Sequence, residues 1–97
     1  MIKVTFELDT IFRASDYKDE DDCKLAKDAH DEIIAKFSAN MIDLPIVPSE
    51  GMSIDLLTFA DDVGLSENAR ENLDDFAASI VTIKYICICK GYLLLYT

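Results

Sequence analysis

The chain is 97 residues long, carries 19 acidic against 9 basic side chains for a formal charge of −10, and is 51% hydrophobic. That length predicts one domain spanning 1–97, near the lower end of what one core stabilises unaided, and the apolar fraction takes it out of the disordered class. The acidity excludes direct binding of DNA or RNA and adhesion to anionic membrane, and it favours basic partners.

The charge is unevenly placed. Asp16–Glu32 holds eight acids and three lysines, a net of −5, and Asp55–Asp75 holds seven acids and Arg70, a net of −6; everything else sums to +1. Residues 2–9 alternate, with Ile2, Val4, Phe6 and Leu8 against Lys3, Thr5, Glu7 and Asp9. This is the pattern of a half-buried strand. Thr10–Ala14 reads as its extension past a bulge, and Ser15 or Asp16 as the N-cap of the helix that follows.

That helix, Asp19 to Asn40, is the longest periodic stretch. Cys23, Ala26, His30, Ile33, Ile34, Phe37 and Met41 form its apolar stripe, and Glu20, Asp21, Lys24, Asp28, Asp31 and Glu32 face water. Four i,i+4 pairs (Glu20–Lys24, Lys24–Asp28, Lys27–Asp31, Glu32–Lys36) lie on the charged side. Asn40 suits the helix end. Leu44–Val47, between Pro45 and Pro48, reads as a short extended piece confined to a sheet edge. A second helix begins at Ser53, carries Leu56, Leu57, Ala60 and Val63, and stops at Gly64. Ser66 caps a third, with Ala69, Leu73, Phe76, Ala77 and Ile80 along one side.

Val81, Ile83, Tyr85, Cys87 and Cys89 alternate with Thr82, Lys84, Ile86, Ile88 and Lys90, predicting one strand with an apolar and a mixed face. Lys90-Gly91 turns it into a last strand, Tyr92–Tyr96. The resulting fold class is α+β, β-α-α-α-β-β, an antiparallel three-stranded sheet with helices packed on one face. Leu93, Leu94 and Leu95 make the last strand apolar on both sides, so either helices cover both or a second chain meets it, a homodimer through that strand being one outcome. The run Ile80–Tyr96 is interrupted by Lys84, Lys90 and Gly91, which predicts no membrane span, and the amino terminus does not read as a signal peptide. The expected compartment is the cytoplasm.

Chemistry is sparse. The glycines at 51, 64 and 91 read as turn and cap residues, and no phosphate loop, dinucleotide fingerprint or nucleophile elbow occurs. His30 sits mid-stripe and reads as a core histidine. The three cysteines read as reduced core thiols; a soft-metal site from Cys87, Cys89 and Cys23 wants a further ligand. Around Gly64 the acids lack the alternating oxygen ligands of a calcium loop. No catalytic residue, metal or cofactor is assigned.

What remains is interaction. The candidate partner-binding residues are Glu20, Asp21, Asp28, Asp31 and Glu32 on the first helix, with Asp61, Asp62, Asp74 and Asp75 as a second patch. Their spacing imitates the regular negative charge of a nucleic-acid backbone; the bland alternative is an acidic surface that only keeps the protein soluble. In size, acidity and lack of a catalytic motif the whole chain resembles, as a type, the small anti-CRISPR and anti-restriction proteins of phages and mobile elements. That resemblance carries over no residues. It implies a non-enzymatic inhibitor occupying the basic surface of a nucleic-acid-processing protein, in the host cytoplasm if phage-encoded. The alternative is an immunity or antitoxin-like protein that neutralises one cognate toxin or nuclease.

Overall fold

The structure is a computed structural model and describes residues 1–8, 18–75 and 79–97. In chain order the elements are β1 (Ile2–Glu7), α1 (Glu20–Ala39), β2 (Ile42–Leu44), β3 (Ser53–Asp55), a 3-10 helix (Leu56–Phe59), α2 (Ala60–Val63), α3 (Glu67–Asp75), β4 (Ile80–Thr82), β5 (Tyr85–Cys89) and β6 (Tyr92–Tyr96). The α+β class holds. The expected extension at Thr10–Ala14, the caps Ser15 and Asp16, and Phe76 and Ala77 lie outside the described residues. Among those described, the N-cap of α1 is Asp19, whose carboxylate accepts from the Asp21 N–H at 2.8 Å.

The sheet corrects the expected arrangement. It has four strands in the order β2-β1-β6-β5 and is mixed: β1 runs parallel to β6, while β2–β1 and β6–β5 are antiparallel. A separate two-stranded sheet joins β3 to β4. The physical reason lies in β6. A strand apolar on both sides belongs in the interior of a sheet, and β6 sits between β1 and β5 with Leu95 fully buried. It therefore has no free edge. The extended piece expected at Leu44–Val47 is not found there: the edge strand β2 precedes it, at Ile42–Leu44, and stops before Pro45, which has no donor to give.

The register puts Val4, Phe6, Ile42, Leu93, Leu95 and Ile86 on one face of the sheet. Helices cover that face. Phe37 of α1 meets Phe6 edge-on at 5.7 Å and 89°, and both are fully buried. Ile33, Leu56, Ala60, Val63, Leu65, Ala69 and Leu73 join the same core. Met41, placed on the stripe by periodicity, lies past the end of α1 and is half exposed. Asn40 ends the helix by a different device from a left-handed cap: its extended backbone turns away and its side-chain amide donates to the Lys36 carbonyl at 2.8 Å.

Two further expectations change. The helix read from Ser53 is instead a strand, a 3-10 turn and the single turn of α2. Pairing of Ser53–Asp55 with Ile80–Thr82 occupies its first backbone groups, and Asp55 then caps the Leu57 N–H at 3.1 Å. Gly64 closes α2 in the left-handed region at φ 71°, as its position suggested. The strand read as Val81–Lys90 is broken where it changes sheets. Ile83, 1% exposed, is held by Met52 and Gly51 through backbone bonds of 2.9 and 2.8 Å, and the Lys84 N–H donates to Tyr96, which already opposes Tyr85. This extra residue is a bulge, and it swaps the faces downstream. Ile86 looks into the core, while Tyr85, Cys87 and Cys89 look out from the sheet's other face.

Candidate functional site

Every described carboxylate proposed for partner binding lies on the helical side of the molecule. On α1, Glu20, Asp21, Asp28 and Asp31 are exposed. The first-turn acids Glu20, Asp21 and Asp22 also suit the positive end of the helix dipole. Of the four lysine–carboxylate spacings on α1, none closes into an ion pair among the described residues; the pair that forms there is Asp61 with Arg70. Asp61 is thus engaged, while Asp62 beside it is exposed on α2. Asp74 and Asp75 close α3.

Glu32 behaves differently from its neighbours. It is half-buried, and its two carboxylate oxygens accept from the Ser66 backbone N–H at 2.6 Å and the Ser66 hydroxyl at 2.7 Å. The same hydroxyl accepts from the Ala69 N–H at 3.3 Å, which makes Ser66 the cap of α3. In a capping box the residue three places after the cap would return a carboxylate to the cap N–H. Here that residue is Ala69, and Glu32 of α1 supplies the carboxylate from across the fold. Burial pushes the Glu32 pKa up, but the two Ser66 bonds and the nearby Lys36 charge outweigh it, leaving the group below its ordinary value of 4.5. Asn68 adds a second tie, donating to the Leu25 carbonyl at 3.1 Å.

The consequence is one connected acidic layer. Glu32–Ser66 fixes α1 to the start of α3, and Asp61–Arg70 fixes α2 to the same helix. The helices that carry the two acidic segments are therefore tied together over the same core; the Asp74 and Asp75 side chains lie outside what the structure describes. Glu67 and Glu71, one turn apart on the exposed side of α3, belong to this layer and were missed. The signal in the sequence is their i,i+4 spacing, between the Asp61-Asp62 and Asp74-Asp75 pairs. No acid occurs from Ser79 to Thr97, a stretch that contains Lys84 and Lys90, though Glu7 of β1 and Asp55 of β3 pair with its Tyr96 and Ile80.

The other candidates fall elsewhere. His30 is half-buried on α1 and engaged within the chain. The cysteines are free thiols but not core ones: Cys23 and Cys89 are half-buried and Cys87 is exposed. Cys89 lies beside Cys87 on the sheet's other face, and its hydrogen bond and charge push the Cys87 pKa up. Cys23 sits on α1, apart from them. Among the described residues no group of three or more His, Cys, Asp or Glu side chains is arranged to hold a metal, and no helix is long and apolar enough to cross a membrane. An apolar cleft of about 230 Å³ lies between Leu44, Pro45, Ile54 and Phe59; its one carboxylate, Asp55, is occupied as a cap. No family model matches the chain, and comparison with curated proteins and with solved structures finds no match either.

Proposed function

We propose that this is a non-enzymatic acidic inhibitor that occupies the basic, nucleic-acid-binding surface of a partner protein, in the manner of phage and mobile-element anti-defence proteins. The observation that supports the reading is that Glu32–Ser66 and Asp61–Arg70 tie the acid-bearing helices α1, α2 and α3 to one another. From Glu20 to Asp31, α1 displays about one net negative charge per 5–6 Å of axis, against one phosphate per ~3.4 Å along a DNA strand. The acids of α2 and α3 beside it raise the density of the layer. Charge of this sign steers association with a basic groove and makes it fast and salt-sensitive.

Glu32 and Asp61 act as struts of that layer, so the contact residues are Glu20, Asp21, Asp28, Asp31 and Asp62, with Glu67 and Glu71 in support. The test is capture from a bacterial lysate with the wild-type chain and with the D28K/D31K variant. The expected result is a nucleic-acid-processing protein that is retained at low salt, released at high salt, displaced by duplex DNA, and lost with the variant. A partner that duplex DNA does not displace, or that the variant retains, refutes the reading.

A further inference from the structure

β5 is an edge strand whose outer side pairs with nothing among the described residues. Sheet edges are ordinarily blunted by proline, by inward charge or by brevity. The opposite edge, β2, has this protection: three residues, with Asp43 at its centre and Pro45 just beyond. β5 has none. Its five residues, Tyr-Ile-Cys-Ile-Cys, are uncharged and free of proline, and Ile88 is 85% exposed on the face that the helices cover elsewhere.

The hairpin settles which backbone groups are available. Cys89 and Tyr92 flank the two-residue turn Lys90-Gly91, so they exchange both of their bonds, as do Cys87 with Leu94 in the alternating ladder. The N–H and C=O groups of Ile86 and Ile88 therefore point outward. They lie symmetrically about Cys87. An antiparallel copy of the same strand, related by a two-fold axis through Cys87, sets Ile86 of one chain against Ile88 of the other twice over. Those are the residues with outward donors and acceptors, so all of them are satisfied, and the exposed Ile88 of each chain is set beside Ile86 of the other in the same step. Shifting the register by two residues instead sets Ile88 against Lys84, or Ile86 against Lys90.

We infer that the protein pairs with a second copy of itself through β5, antiparallel and centred on Cys87, joining the two sheets into one. The meeting strand and its flanks, Lys84 to Lys90, carry no acid, so two chains of charge −10 approach there at lower cost than through the helices. The acidic layers stay on one side of the joined sheet, each over its own β1 and away from the seam. Since β2 is protected, addition stops at two copies and closes as an isologous dimer. Five residues per chain make a small interface, so the association is weak. In the paired register Lys84 of one chain stands near Lys90 of the other, just outside the ladder. Salt screens both this repulsion and that of the net charges, and the dimer tightens as ionic strength rises. A charge-driven partner loosens under the same change, so this inference and the proposed function fail separately.

The register makes a further demand. Cys87 faces its own symmetry copy in a non-hydrogen-bonded pair, with Cα atoms about 4.5 Å apart, inside the span that a disulfide bridges. The experiment uses the intact chain with diamide, which takes up the two thiol hydrogens as the sulfur–sulfur bond forms. Wild type and the C23S/C89S variant are expected to give a covalent dimer, C87S none, and I88K at least roughly fivefold less, with the I88K fold unchanged by circular dichroism because that side chain is exposed. Without oxidant, sedimentation over roughly 10–500 μM is expected to show a dimer whose dissociation constant falls at least about threefold between ~0.1 and ~1 M NaCl. Cross-linking through Cys23 or Cys89, cross-linking indifferent to I88K, or a chain that stays monomeric at every salt overturns the inference.

Discussion

If Glu32 completes the cap of α3 from across the fold, removing its carboxylate should cost far more than removing any neighbouring acid. Two hydrogen bonds of 2.6 and 2.7 Å to a charged acceptor are at stake. Such bonds contribute about 1.5–3 kcal/mol each when well shielded, and the half-exposed site brings each below that range, to about 1 kcal/mol. Glu32→Ala is then expected to lose about 2 kcal/mol in total, and for a domain of this size that lowers Tm by roughly 8–16 °C. Asp28→Ala, which removes no bond, should move Tm by less than about 3 °C. Ser66→Ala keeps the backbone donor to Glu32 but loses both the hydroxyl bond and the cap on Ala69, at a cost of about 1–1.5 kcal/mol.

The decisive assay is the double-mutant cycle. With Glu32 and Ser66 in contact, the losses should be non-additive by about 1 kcal/mol, measured by urea denaturation at pH 7. Additivity within ~0.3 kcal/mol would refute the cap and return Glu32 to the freely exposed acids. The pH dependence gives a second reading. The folded-state pKa of Glu32 is depressed below 4.5, so its stabilisation is fully present above the unfolded value and lost as pH falls through the folded one. The stability gap between wild type and E32Q should therefore be constant from neutral pH down to about 5 and close progressively below 4.5.

Two other substitutions probe the frame that holds the layer. Phe37→Ala removes a fully buried ring and its edge-on contact with Phe6. It should cost about 3–5 kcal/mol, visible as a large drop in the urea midpoint. Gly64→Ala meets no atom within 4 Å, so its whole penalty is the left-handed backbone at φ 71°, roughly 1 kcal/mol by thermal melting. A neutral result at Gly64 would mean that the turn between α2 and α3 relaxes to another conformation.

What was legible in the sequence is what local chemistry decides. The alternation of β1, the long helix, the ends at Asn40 and Gly64, the Ser66 cap and the Lys90-Gly91 turn each follow from residues within one or two turns of chain. What was not legible is decided by partners far away. Val81–Lys90 alternates without interruption, yet the chain changes sheets at Ile83, and one bulged residue at Lys84 exchanges the faces of everything after it. The parallel pairing of β1 with β6 depends on which hairpin strand takes the interior, and the apolar Leu93-Leu94-Leu95 carried that information without stating a direction. At the candidate site the exposed acids were readable from helical spacing. Glu32 was not. Its spacing to Lys36 pointed to a solvated pair, whereas its partner Ser66 is 34 positions away. The trace left in the sequence was an incomplete one: a capped helix with alanine where the returning carboxylate belongs.

A layer of like charge has a cost that salt should expose. Among the described residues Asp61–Arg70 is the ion pair that forms, so most exposed carboxylates repel one another without compensation. Raising NaCl from ~0.1 to ~1 M shortens the screening length from about 10 to 3 Å, less than the spacing of acids along α1. The fold should then gain about 1 kcal/mol, a Tm rise of roughly 4–8 °C. The E71Q variant, which removes the like-charge i,i+4 spacing with Glu67, should melt higher than wild type at low salt and gain less from added salt. Wild type and variant responding equally would mean that salt acts through the apolar core and not through the charged layer, and a Tm that falls with salt would mean that attractive pairs dominate. Under the expected result the protein loses stability to keep its acids together. Lys24, Lys27 and Lys36 stand among the acids of α1 without closing an ion pair among the described residues, so the salt response measures how much repulsion they leave, and a surface that only kept the chain soluble would show the smaller gain.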